Sequence, residues 1–136
     1  MTLTDTGPLV ALLNRNDPNH AACAGAAKAL PSEPLVTTWP CFTEAMYLLY
    51  RAGGHAGQEA LWRLIEAGRL VLHGPNAAEL GRMAALMGKY RDLPMDFADA
   101  SVVAAAEQLG TRRVFTLDRD FHVYRFADGT AVEVVP

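Results

Sequence analysis

Six carboxylates, Asp5, Glu44, Asp96, Asp99, Asp118 and Asp120, define the chemistry this chain could perform. No cysteine–histidine cluster accompanies them. Cys23 and Cys41 have neither metal-ligand spacing nor a disulfide framework, and His20, His55, His73 and His122 share no ligand spacing. An all-oxygen donor set selects a hard cation, Mg2+ or Mn2+, over zinc. Two such ions held about 4 Å apart would activate water and stabilise the leaving oxygen of a phosphodiester. Crowded acids also need cations, because like charges at close range raise one another's pKa.

The acids are scattered, so the fold must gather them. Short apolar segments alternate with helical patterns, the signature of an α/β layer fold around a parallel sheet. Strands are predicted at Thr2–Asp5, Leu35–Thr38, Leu70–Leu72, Val114–Leu117 and Ala131–Val135, with Asp128-Gly129 suited to a hairpin turn before the last. Asp17-Pro18 is placed to start a helix that Pro31 stops. Phe42, Ala45, Met46 and Leu49 share one helical face, and Gly53-Gly54 ends that helix. Leu80, Met83, Ala84 and Met87 repeat the spacing as core filling. Asp96 is placed to cap a helix running to Leu109, with Asp99 three residues on and Gly110 terminating it.

In open α/β sheets, ligands bind beyond the carboxyl ends of the strands. Asp5 and Asp118 end two predicted strands, and emerge side by side if those strands are neighbours. Asp99 opens the helix that precedes the second of them, so it lies at the same edge. Glu44, in the first turn of the helix after Leu35–Thr38, reaches that edge too. The topology therefore predicts that four acids from four segments meet.

Each acid also has a local use. Asp5 before Thr6-Gly7-Pro8 suits a cap or turn. Asp96 and Asp99 suit a cap and a dipole partner. Asp118 and Asp120 flank Arg119 in what reads as a solvated loop. Glu44 is the exception, because it is the only charged residue between Phe42 and Tyr50. An unpaired carboxylate on so apolar a helix needs compensation, unless it points outward from the Phe42/Met46/Leu49 stripe.

The bulk properties bound these expectations. One domain accounts for residues 1–136, and 51% hydrophobic content suffices for a packed core. Thr-Leu-Thr-Asp after Met1 lacks the basic start and apolar stretch of an export signal. No uncharged apolar run approaches the roughly 18 residues that span a bilayer. A cytoplasmic protein with no membrane association is expected. A net charge of −3 argues against a nucleic-acid partner, which usually leaves a basic footprint. Carboxylates engaged by cations would leave the remainder slightly positive, and the heavy excess of arginine over lysine suits phosphate contacts. Arg51, Arg119 and Arg125 are candidates for that contact, with solvated surface the competing role. Trp39 and Trp62 stand too far apart in sequence to suggest a base-stacking platform. Gly53-Gly54 lacks the lysine of a phosphate loop.

Several segments together resemble the PIN-domain family, which includes the VapC-type toxins. Thr4-Asp5-Thr6-Gly7-Pro8-Leu9-Val10 resembles the opening motif and Thr43-Glu44-Ala45 the second. Pro94-Met95-Asp96-Phe97-Ala98-Asp99-Ala100-Ser101 resembles the third, and Thr116-Leu117-Asp118-Arg119-Asp120-Phe121 the fourth. The match is collinear over nearly the whole chain. It implies a three-layer α/β/α domain with a mostly parallel sheet, and a Mg2+- or Mn2+-dependent endoribonuclease. It carries over Asp5, Glu44, Asp99 and Asp118 as core acids, Asp96 as an added ligand or a group that supports the ligands, and Thr6 and Asp120 in support. In toxin–antitoxin members a small antitoxin covers the site and can insert a basic side chain there. Two other classes fit the same residues: a non-catalytic RNA- or protein-binding module, and a phosphotransfer domain with a strand-end aspartate as acceptor. Apolar surface at Tyr47, Leu48 and Tyr50 exceeds what one core needs, so a homodimer is expected.

Overall fold

The computed structural model describes residues Met1–Pro136. In chain order the elements are β1 (Thr2–Thr4), α1 (Thr6–Leu13), α2 (His20–Ala29), β2 (Leu35–Thr38), α3 (Trp39–Glu66), β3 (Leu70–His73), α4 (Ala77–Lys89), α5 (Phe97–Leu109), β4 (Arg113–Phe115), a 3-10 turn (Arg119–His122) and β5 (Glu133–Val135). The five strands form one sheet in the order β3-β2-β1-β4-β5, and every pairing is parallel. No helix is long and apolar enough to cross a membrane.

Strand alternation divides the core between the two faces of the sheet. Leu3, Val36 and Val114 pack with Met83 and Leu86 of α4 and with Val102, Val103 and Ala106 of α5. On the other face Leu70 packs with Leu9 of α1 and with Phe42, Leu49 and Leu61 of α3, while Phe115 meets Ala11 and Cys23. The expected three layers are thus present, with α1–α3 on one side and α4–α5 on the other.

Several local expectations are corrected. The helix expected from Asp17-Pro18 begins later, at His20 with Asn19 as its cap, because the Asp17 carboxylate accepts from the Asn19 N–H at 2.8 Å and closes a local turn instead. The 128–129 turn does form, with an antiparallel bridge between Arg125 and Ala131. The last strand then starts only at Glu133 and runs parallel to β4. Leu80, expected in the core stripe, is exposed; Met83 and Leu86 provide the buried face of α4 with Glu79. Glu79 is buried because His73 reaches it at 2.7 Å and the Asn76 cap box holds its other oxygen.

Gly53-Gly54 ends the first half of α3, and the chain then turns back into a second helical half. Gly54 has φ 63° and ψ −153°, a conformation essentially confined to glycine. The returning half lies against the first: the Phe42 and Trp62 rings meet edge-on at 5.3 Å, and Gln58 donates to the Met46 carbonyl. Gly57 makes this close approach possible, since a Cβ there would stand 2.5 Å from the Leu49 carbonyl oxygen, a backbone atom. Gly57→Ala should therefore lower stability by about 2 kcal/mol in chemical denaturation. Gly53→Ala, at a residue with negative φ facing open space, should change it by only about 0.5 kcal/mol. Equal effects would show that the two halves are not in tight contact.

Candidate active site

β1 and β4 are neighbours, as the strand-end argument required, with Thr4 opposite Phe115. Asp5 follows β1 and caps α1. Its Oδ1 accepts from the Thr6 N–H at 2.8 Å and its Oδ2 from the Thr116 hydroxyl at 2.8 Å. The Cys41 thiol points at Oδ1 from 3.6 Å. Only 8% of Asp5 is exposed. Burial raises its pKa most; the bonds from Thr116, Thr6 and Cys41 pull it down, and the charge of Asp118 adds to the rise.

Thr6 links the first acid to the second. Its hydroxyl lies 3.3 Å from Glu44 Oε2 and 3.3 Å from the Cys41 carbonyl. Glu44 sits on the solvent side of α3, away from Phe42, Ala45 and Leu49. Partial burial, then Asp96 and Asp5, raise its pKa, and the Thr6 bond opposes them.

Asp96 and Asp99 open α5 as a reciprocal cap. Asp96 Oδ1 accepts from the Asp99 N–H at 2.8 Å, and the Asp96 N–H donates to Asp99 Oδ2 at 3.4 Å. Both local roles expected of them are thus real, and they coexist with membership of the acid group. Asp99 is buried, and Tyr124 donates to its Oδ2 at 3.1 Å. Desolvation, then the charges of Asp96 and Asp5, push the Asp99 carboxyl up to about 7 despite the Tyr124 and Asp96 hydrogen bonds. Tyr124 in turn is held firmly protonated by burial and by Asp99.

Asp118 follows β4, half-buried, and its Oδ1 accepts from the Asp120 N–H at 2.9 Å. Thr116 ties this acid to the first, because its hydroxyl donates to Asp5 and accepts from the Asp118 N–H at 3.0 Å. Asp120 lies in the 3-10 turn behind Asp118, where it and Asp118 add to the rise of the Tyr124 pKa.

Every acid predicted from the sequence therefore stands at the carboxyl edge of the sheet or on the helix ends facing it. The carboxylates do not close into a cage, and no three His, Cys, Asp or Glu groups stand together in ion-holding geometry. Asp5, Glu44, Asp96, Asp99 and Asp118 are instead each drawn to a local donor. None of the six takes part in an ion pair; the pairs of this protein use Glu33, Glu59, Glu79, Glu107 and Glu133. The edge is thus a concentrated negative field with neutral hydroxyl, thiol and phenol donors beneath it.

Sequence reasoning missed Thr116, Cys41 and Tyr124. Thr116 directly precedes the Leu-Asp of the fourth motif, and its type was the available signal. Cys41 and Tyr124 gave none, because their contacts depend on packing across 36 and 25 residues.

The fold is that of a PIN domain, and comparison with known proteins places it among the nucleases of that class. No protein-family model matches the chain. Ribonuclease VapC26 of Mycobacterium tuberculosis is 32% identical, over 98% of this chain and 99% of its own. The chain belongs to the VapC family of PIN-domain proteins. Among solved structures, M. tuberculosis VapC20, a sarcin–ricin-loop-cleaving toxin, superposes with a TM-score of 0.82 at 20% identity, over 100% of both chains. VapBC2 of Rickettsia felis, bound to a DNA fragment from its promoter, superposes with a TM-score of 0.68 at 14% identity, over 99% of this chain and 98% of that one.

The Asp99 shift has a consequence for stability. A carboxyl whose folded pKa lies above its unfolded value binds more protons when folded, so its contribution is full in acid and is lost as pH rises from about 4 through about 7. Asp99→Asn keeps the acceptor for Tyr124 and removes the charge. In chelator, it should stabilise the protein at pH 8 by roughly 1–3 kcal/mol, discounted for the partial solvation of the edge, with little gain at pH 4. Thermal melts at the two pH values check this, and an equal gain at both would refute the assignment.

Proposed function

We propose that this chain is a metal-dependent endoribonuclease that hydrolyses RNA phosphodiester bonds at the carboxylate edge, and that it is the toxin of a toxin–antitoxin pair. One observation carries the proposal: six carboxylates at one sheet edge, none of them ion-paired, with Asp99 pushed up to about 7 by burial and like charge. The naming of VapC26 as a ribonuclease and of VapC20 as an RNA-loop-cleaving toxin supports the substrate class. VapBC2 and a Klebsiella pneumoniae toxin–antitoxin complex support the partner. An antitoxin would cover the edge and set a basic side chain among its acids. The proposal places the protein in the cytoplasm, where RNA is cut.

The donor set suits Mg2+ or Mn2+ in its chemistry, being all oxygen and free of ion-paired cationic side chains, although the carboxylates would have to draw closer to enclose an ion. Asp5, Glu44, Asp99 and Asp118 would hold it, with Asp96 beside them and Asp120 behind Asp118. Bound there, a divalent cation would neutralise phosphate charge and lower the pKa of water. The chain's own residues supply the positioning. Thr6 and Thr116 fix both oxygens of Asp5. Thr116 also sets the backbone from which Asp118 projects. Tyr124, kept protonated, orients Asp99 without neutralising it.

Cleavage of a mixed RNA pool should proceed with Mn2+, stop with EDTA, and fall on the order of a hundredfold or more in Asp99→Asn and Asp5→Asn. Thr116→Val should lower activity about tenfold while preserving fold, as expected for a group that acts by orienting a ligand. RNA left intact by a protein that binds neither Mn2+ nor Mg2+ would establish a non-catalytic binding module instead.

Of the three side chains expected at a dimer contact, Leu48 and Tyr50, exposed on α3, support a homodimer through that helix. Light scattering at micromolar concentration should give twice the chain mass, and Tyr50→Asp should give one chain mass. A monomeric parent protein would refute this contact.

A further inference from the structure

Two surface depressions differ sharply in lining. One lies at the amino edge of the sheet and is walled by leucines, including Leu12, Leu30, Leu35, Leu64 and Leu70. The other is shallow, lies at the carboxyl edge, and is walled by rings: Trp39, Tyr47, Phe97 and Pro75, with Thr43 and Glu44. Trp39, Tyr47 and Phe97 are each more than half exposed, and no leucine, isoleucine, valine or methionine lines the depression. These rings are dispersed over 59 positions of sequence, and the fold assembles them beside the acids. Glu44 belongs to both places, touching Thr6 next to Asp5 and lining the depression. Phe97 directly follows Asp96 at the start of α5.

We propose that Trp39 and Phe97, flanked by Tyr47, form a nucleobase-stacking subsite that receives single-stranded RNA beside the carboxylates; this rests on the ribonuclease function proposed above. Flat π faces accept any base and need no hydrogen-bond code, whereas a leucine-lined groove suits aliphatic side chains. Trp39 is seated against the backbone at one edge of its ring. The Trp39 carbonyl accepts from Thr43 Oγ1 at 2.9 Å, and its indole lies against Gly74, where a Cβ would stand 2.7 Å from Nε1. A cation borders the far side. The Arg51 guanidinium lies 5.8 Å from the Tyr47 ring centroid, and Arg51 donates to the Tyr47 hydroxyl while having no carboxylate partner. One strand can thus place a phosphate near Arg51, bases on the rings and the next phosphate at the acids, which is how a chain of net charge −3 would hold RNA without a broad basic face.

The test uses the full chain with Trp62→Phe, which leaves Trp39 as its sole tryptophan, and Asp99→Asn to prevent turnover. Titration with a mixed-sequence single-stranded RNA should quench Trp39 emission. Trp39→Ala, Phe97→Ala and Gly74→Ala should each weaken RNA binding about tenfold, and Trp39→Phe should retain most of it. In the otherwise native chain, Trp39→Ala should raise KM more than it lowers kcat. If the native chain cleaves RNA in an Asp99-dependent way while Trp39 emission and the affinities are unchanged, the stacking subsite is wrong and the nuclease function stands. If Trp39→Ala leaves RNA affinity intact but halves the particle mass, the rings are a protein contact and the proposal is overturned. If the native chain neither binds nor cuts RNA, the nuclease function falls and the subsite with it.

Discussion

The structure is organised around a carboxylate buried where three elements meet. Asp5 is almost fully enclosed, and a charge so placed is costly unless its oxygens find donors. Its donors come from α1, through the Thr6 N–H, and from the segment after β4, through the Thr116 hydroxyl. Its own N–H donates to the Phe115 carbonyl at 2.9 Å. These bonds can form together only if β1 and β4 are parallel neighbours that end at the same height. That register brings Asp118 to the same edge, and α5, which packs across β2, β1 and β4, delivers Asp96 and Asp99 at its first turn. The central pairing of the sheet and the position of the acids are one constraint seen from two sides.

Neutral donors are a consistent choice at this edge. A lysine or arginine beneath Asp5 would hold its charge more cheaply, but it would also cancel the negative charge of the edge. Threonine hydroxyls, a backbone N–H, the Cys41 thiol and the Tyr124 phenol orient the carboxylates and leave their charge in place. Cys41 fits this role because burial and the neighbouring Asp5 push its pKa to about 12, so it remains a donor and is no nucleophile. The cost is visible in the raised pKa values of Asp5, Glu44 and Asp99, all set first by desolvation; repulsion from Asp96 and Asp5 follows for Glu44 and Asp99, and repulsion from Asp118 adds last for Asp5.

The parallel α/β sheet, the approximate strand positions and the edge that collects the acids were legible because they depend on local periodicity and on one rule of parallel sheets, whereas the three-layer order came from the family resemblance. The cap box of α5 was legible for the same reason, Asp96, Asp99 and Gly110 having correct spacing for it. Boundaries failed where a side chain offered the backbone a competing bond, as Asp17 does before α2. The second half of α3 was hidden because Gly53-Gly54 marks the turn without revealing that helix resumes and folds back through Gly57. Thr116 and Tyr124 were hidden because their roles arise from contacts across 111 and 25 residues.

Trp39 shows why the rest of the site was out of reach. Read along the chain, it is an isolated tryptophan near an unremarkable proline, far from Phe97 and farther from Asp99. Its position in the structure follows from three separate facts: β2 ends at Thr38, β3 ends beside it at His73, and the next residue, Gly74, has no side chain to displace an indole. The parallel pairing of β2 with β3 thus supplies a floor for the ring, while α5 brings Phe97 from the opposite layer. The acids are ordered by one strand pair and the rings by the next, so the two halves of the proposed strand-binding surface lie side by side without any continuous motif. Sequence motifs record residues that act within one segment, and a surface assembled from adjacent strand ends has no such record.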